Sequence, residues 1–185
     1  WHFGEAPRQH RIAGPHKGRA ERRAVAADIL QRRREPLPHE QDRGASAVAP
    51  ENTMAAFREA LAVGADGIEF DVRLTRDDVP VIIHDSTLRR TGGLPHRVAD
   101  LSWTEISKVD VGSWFAQSFA KETVPSLAEL FTLFQSNNST LYLEMKCDSA
   151  AEHRPLAEAC ARAIQEHSVK ERVIVECFQL PALKI

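Results

Sequence analysis

Cysteine is scarce. The three in this 185-residue chain are Cys147, Cys160 and Cys177. They are an odd set without a C-x-x-C spacing, so neither a disulfide framework nor a zinc site is suggested. That usage is compatible with a reduced compartment. Also missing is any run of about 18 apolar residues that could cross a bilayer, and the first residues lack the apolar centre of a secretory signal. The expectation is a soluble protein of the cytoplasm, with no transmembrane segment and no signal peptide. An excess of one charge is lacking too. Lys and Arg number 24 against 26 Asp and Glu, a formal net charge of −2, so nothing favours nucleic acid or an anionic surface as partner. A small-molecule substrate is the expected partner. With 43% hydrophobic residues the chain can bury one ordinary core and has no surplus for a second large one. It opens on Trp1 rather than a methionine, which reads as a fragment, a processed product or an incomplete reading frame.

Two regions differ in pattern. Residues 1–41 carry arginine clusters, Arg22-Arg23 and Arg32-Arg33-Arg34, diluted by Glu21, Asp28, Glu35 and Glu40, with little hydrophobic periodicity beyond Ala24 to Leu30. They are expected to form a basic, mobile tail with one short helix. Residues 42–185 alternate helix and strand signals. Asn52 and Thr53 are placed to cap a helix that runs through Met54, Phe57, Ala60 and Leu61 and stops at Gly64. Strands are predicted over Gly67 to Arg73, Val79 to His84, Leu141 to Lys146 and Val173 to Phe178. Ser102 with Glu105 and Ser126 with Glu129 are capping boxes that open further helices, and another helix is expected from about Ala150 to His167. Strands alternating with helices imply an α/β fold with a parallel sheet.

The chemistry gathers on few residues. A side-chain period of two sets Glu69, Asp71 and Arg73 on one face of their strand and Ile68, Phe70 and Val72 on the other. The next strand follows too closely for a helical crossover, so a hairpin is expected. A two-residue loop at Asp77-Asp78 would pair His84 with Asp71 across it. Glu144 and Lys146 share a face near the end of a third strand. Each residue alone has a bland reading: a solvated strand face for the two carboxylates, a structural histidine, a surface lysine. Three carboxylates with no cysteine nearby suit a hard divalent cation, Mg²⁺ or Ca²⁺, better than zinc.

The motifs Arg43-Gly44-Ala45-Ser46, Pro50-Glu51-Asn52-Thr53, Glu69-Phe70-Asp71, His84-Asp85 and Leu143-Glu144-Met145-Lys146, in that order, resemble those of the glycerophosphodiester phosphodiesterase family. The resemblance implies a TIM-type (β/α) barrel and metal-dependent hydrolysis of a glycerophosphodiester to glycerol 3-phosphate and an alcohol. It implies that Glu69, Asp71 and Glu144 hold the metal, that Arg43 and Lys146 bind phosphate, and that His84 is one of two acid/base histidines. Where the family has the other histidine this chain has Asp42, and a carboxyl with an ordinary pKa of about 3.9 is a poor proton donor at neutral pH. Pro36 to Gln41, in the place of the first barrel strand, contains two prolines and one large apolar residue, which does not suit a buried parallel strand. A full barrel takes about 250 residues, so the expected domain is incomplete, lacking its last strands, with exposed edges open to self-association. Impaired activity is expected. The alternatives are a non-catalytic remnant or metal- and phosphate-binding module, and a related barrel phospholipase.

Overall fold

The computed structural model describes residues 49–178. The expected mobile tail, the anomalous first strand, Asp42 and Arg43 all fall outside the described residues.

The first described helix, α1 (Met54–Ala62), begins at Thr53, whose hydroxyl accepts from the Ala56 amide at 3.3 Å. It ends in a Schellman turn: Ala65 N–H donates to Ala60 and Gly64 N–H to Leu61, with Gly64 at φ 67°, a conformation that glycine adopts without strain. Strand β1 (Gly67–Leu74) follows. A Cβ on Gly67 would come within 2.9 Å of the Tyr142 ring, so only glycine permits this approach to the neighbouring strand. Then come β2 (Pro80–Ile82), the short helices α2 (Arg89–Gly92) and α3 (Trp103–Ile106), helix α4 (Leu127–Leu133), β3 (Thr140–Met145), α5 (Ala150–Glu166) and β4 (Val173–Glu176). Both capping boxes form, at Ser102 with Glu105 and Ser126 with Glu129. The predicted strands match the observed ones apart from their ends, where β2 and β4 stop two residues earlier than expected.

The sheet order is β2-β1-β3-β4. β1 pairs antiparallel with β2 and parallel with β3, and β3 pairs parallel with β4. The β3–α5–β4 unit is the expected helical crossover between parallel strands. Ile68, Phe70 and Val72 of β1 stand beside Leu141, Leu143 and Met145 of β3. With Phe57, Phe131, Phe134 and Leu156 they make the main core. Alternation along the strands leaves Glu69, Asp71 and Arg73 on the other face beside Tyr142 and Glu144. A second, smaller core holds Val81, Ile83, Leu88, Val98, Ile106, Val111 and Val124. It belongs to the long excursion between β2 and α4, which therefore packs on its own apolar residues rather than hanging as a loop.

The hairpin exists, but its register differs by one residue from expectation. Val72 pairs with Ile82 and Arg73 with Val81. Thr75 N–H donates to the Val79 carbonyl at 3.1 Å, which closes a three-residue loop, Arg76-Asp77-Asp78, with Asp78 at φ 59°. A left-handed residue at the end of a three-residue loop is a favoured hairpin solution. Asp77 is held elsewhere: its carboxylate accepts from the Thr75 hydroxyl at 2.7 Å and the Trp103 amide at 2.8 Å. The two-residue loop is thus corrected, and the partner of Asp71 is Ile83, whose amide donates to the Asp71 carbonyl at 2.9 Å. His84 is not directly across from Asp71.

Candidate active site

Period two on β1 and parallel register with β3 bring three acidic side chains together. Asp71 and Glu144 are register partners, and Glu69 lies two residues before Asp71 on the same face. One carboxylate oxygen from each of Glu69, Asp71 and Glu144 lies within 4.8 Å of the others, and all three residues are buried. Buried like charges repel strongly in a medium of low polarisability. Lys146 offsets part of that repulsion. Its ammonium contacts Glu144 Oε1 and lies 3.4 Å from Asp71 Oδ1, and it stands 5.6 Å from the Phe178 ring centroid. Among the described residues, Lys146 is the ammonium set against these three carboxylates. The oxygen-only donor set and its spacing fit a hard divalent cation, whose bonds of about 2.0–2.6 Å let one ion bridge such oxygens.

Asn52 was read as a helix cap and does something else. It adopts φ 55°, which turns its side chain onto β1. Its Nδ2 donates to Asp71 Oδ2 at 2.9 Å, and its Oδ1 accepts from the Asp71 amide at 3.3 Å. The carboxamide thereby fixes the Asp71 carboxylate by its outer oxygen and its backbone together. Asn is among the residues that tolerate this left-handed conformation, and Thr53 alone serves as the cap.

β2 ends at Ile82, so the strand no longer dictates where His84 points. The imidazole is 44% exposed, and its Nδ1 lies 2.8 Å from Asp85 Oδ1. Arg90 donates through Nε to Asp85 Oδ2 at 2.8 Å, and through Nη1 and Nη2 to both oxygens of Glu51 at 2.9 and 2.6 Å. Hydrogen bonds from Arg90, helped by His84, hold the Asp85 carboxyl down at about 2. The two acidic partners, Glu51 first, push Arg90 above the ordinary arginine value. At neutral pH Asp85 is therefore an ionised acceptor, so Nδ1 must be the donor, leaving Nε2 as the basic nitrogen of the neutral ring. His84 and Asn52 line the same recess, with Glu51, Thr91 and Val111. The histidine and the Asp71 clamp are thus neighbours despite the corrected register.

Local spacing did not reveal the Asn52 clamp or the Asp85–Arg90–Glu51 chain, whose partners are up to 39 residues apart. Glu51, Asn52 and Asp85 lie inside the Pro50–Thr53 and His84-Asp85 motifs, which were the available signal. Glu176 was also passed over; register sets it beside Glu144.

Parallel strands β1, β3 and β4 with an acidic centre at one end of adjacent strands are the arrangement of barrel proteins. Over residues 43–185 the sequence matches the Glycerophosphoryl diester phosphodiesterase family, and the chain belongs to that family. It is 40% identical over 142 residues to a glycerophosphodiester phosphodiesterase of Caldanaerobacter subterraneus, covering 77% of this chain and 58% of the relative. It is 37% identical over 106 residues to Glycerophosphodiester phosphodiesterase 1 of Homo sapiens, covering 56% and 32% respectively. A solved Oleispira antarctica phosphodiesterase in complex with the product sn-glycerol-3-phosphate matches with TM-score 0.70 and 31% identity, over 76% of this chain and 57% of that one. The glycerophosphodiester phosphodiesterase of Agrobacterium tumefaciens matches with TM-score 0.66 and 32% identity, over 77% and 58%. With these neighbours the four described strands are part of a TIM-type (β/α) barrel. The chain spans 58% of the length of the Caldanaerobacter relative.

Proposed function

We propose that this chain is part of an enzyme that hydrolyses glycerophosphodiesters to glycerol 3-phosphate and an alcohol. The observation that carries the reading is the convergence of three buried carboxylates from two adjacent strands, next to an ammonium and close to a histidine with a defined tautomer. In this reading Glu69, Asp71 and Glu144 hold one divalent cation, Mg²⁺ or Ca²⁺. Such a cation, when bound, offsets the clustered negative charge and polarises a phosphoryl oxygen.

The chain's own residues supply the rest. Lys146, which lies against Glu144 and Asp71, would contact a phosphate oxygen, and Arg43 would add a second cationic contact. A lysine acts there as a point charge, an arginine as a two-pronged donor. Asp85 keeps the His84 Nδ1 proton in place, so His84 Nε2 exchanges the proton with the attacking or leaving oxygen. Asp42 stands where the family has its second histidine, and a carboxyl, with an ordinary value of about 3.9 against about 6.5 for histidine, is the poorer proton donor at neutral pH.

The test uses three proteins on glycerophosphocholine with added Mg²⁺ or Ca²⁺: this chain, its Asp42→His form, and that form extended by the carboxyl-terminal half of a relative. Supplying the missing proton-transfer group is expected to raise turnover by about 10²-fold or more, and His84→Gln is expected to remove the gain. Turnover by the unaltered chain that survives His84→Gln contradicts the mechanism. Cation and phosphate binding without turnover in any of the three would instead identify a binding module.

A further inference from the structure

Arg73 has no role in the reading above. It lies on β1 two residues beyond Asp71 and on the carboxylate face, with its side chain only 13% exposed. Its Nε donates to the main-chain carbonyl of His84 at 2.8 Å, and its Nη1 donates to Asp148 Oδ1 at 3.0 Å. These acceptors sit on two different segments. One is the turn after β2 that carries His84. The other is the loop after β3, two residues past Lys146. Asp148 is held from its far side as well: Arg97 Nη2 donates to Oδ2 at 3.2 Å, and the Asp148 amide donates to Glu152 Oε2 at 2.8 Å.

We propose that Arg73 is a positioning residue, a cross-brace that sets the His84 turn and the Lys146–Asp148 loop in place relative to the carboxylates of its own strand. The inference rests on the hydrolytic reading given above. β1 is a suitable anchor because it is paired on both sides. β2 is not, because the strand ends at Ile82, its last bond to β1 is from the Ile83 amide to the Asp71 carbonyl, and the ladder does not hold His84. A guanidinium is suited to the task where an ammonium is not: its donors leave a rigid plane in different directions, so one side chain reaches two acceptors on two segments at once. The charge of Arg73 is a separate matter from its shape, and Arg73→Lys keeps the first while removing the second. Reacting groups displaced by about 1 Å lose on the order of 10² in rate, so a brace that touches no substrate can govern turnover.

The test follows the His84 ring by its carbon-bound proton signal in a ¹H–¹³C spectrum of the full chain, assigned with His84→Gln, alongside a Ca²⁺ titration and the hydrolysis assay. In Arg73→Lys the His84 signal is expected to move or broaden while Ca²⁺ affinity stays unchanged. In the extended Asp42→His form, kcat on glycerophosphocholine is expected to fall by about tenfold or more on Arg73→Lys, with KM little altered. Asp148→Asn should shift the signal in the same direction by less, and the double variant should go no further than Arg73→Lys alone, because both act through one brace. An unmoved His84 signal in Arg73→Lys overturns the proposal, as does a loss of Ca²⁺ affinity in step with kcat. Should Arg73→Lys fail to fold, the signal in Asp148→Asn decides by the same criterion. If neither the extended Asp42→His form nor its variants turn over substrate, the hydrolytic reading falls, while the His84 signal and the Ca²⁺ titration still decide whether Arg73 positions the turn.

Discussion

Asp85 shows how one residue ties charge to stability and to chemistry. Its carboxyl is held at about 2 in the folded chain, first by Arg90, against about 3.9 in an unfolded one. A lowered folded value means that the unfolded state binds the proton more readily. The Asp85 contribution is therefore fully present above about pH 4 and is lost as pH falls through about 2. Thermal midpoints of wild type and Asp85→Asn should differ at pH 5 and converge near pH 2; a gap of constant size across that range would contradict the shift. At this scale the sequence was most legible where a short-range period applied. Glu69 and Asp71 share a face because strands alternate, and the family order supplied Glu144. The period could not place His84, because the strand that would have imposed it ends two residues earlier. Asn52, Arg73 and Arg90 were not read at all as site residues. Their contacts depend on long side chains crossing between segments 11 to 75 residues apart, which no local pattern encodes.

The elements were legible from their punctuation. Gly64 stops α1, the two Ser/Glu boxes start α3 and α4, and strands appear where apolar and charged residues alternate. The hairpin turned on a finer matter, which residue takes the left-handed position. Counting Asp77-Asp78 as the whole loop gives one register; including Arg76, with Asp78 at φ 59°, gives the observed one, and a shift by one residue swaps the faces of the second strand. Thr75 decides between them, since its hydroxyl accepts from the Val79 amide at 3.0 Å and closes the longer loop. A non-glycine residue in that conformation is strained. Asp78→Gly should therefore stabilise the chain by up to about 1 kcal/mol in urea unfolding, and Asp78→Val should destabilise it by about as much or more. Equal midpoints for all three proteins would show that Asp78 carries no strain.

At the scale of the molecule, two cores and one polar face arrange the described residues. The larger core fixes β1 against β3 and so sets Asp71 beside Glu144. The smaller one organises the excursion that carries His84, Asp85 and Arg90 to the same end of the sheet. β4 pairs with β3 among the described residues and leaves Ile174 47% exposed, on the face that a closed barrel encloses. No helix among the described residues is long and apolar enough to cross a membrane. The alternation of helices and strands was sufficient to anticipate the α/β class, whereas the barrel itself was legible through the ordered motifs. In the proposed function Glu69, Asp71 and Glu144 act together on one divalent cation. Calorimetric titration of the chain with Ca²⁺ and Mg²⁺ tests it most directly. It predicts saturable binding of a single ion that weakens by about tenfold or more in Glu144→Gln, with the helical and strand content unchanged by circular dichroism. Binding of equal strength in wild type and Glu144→Gln, or no binding by the folded wild-type chain, would contradict it.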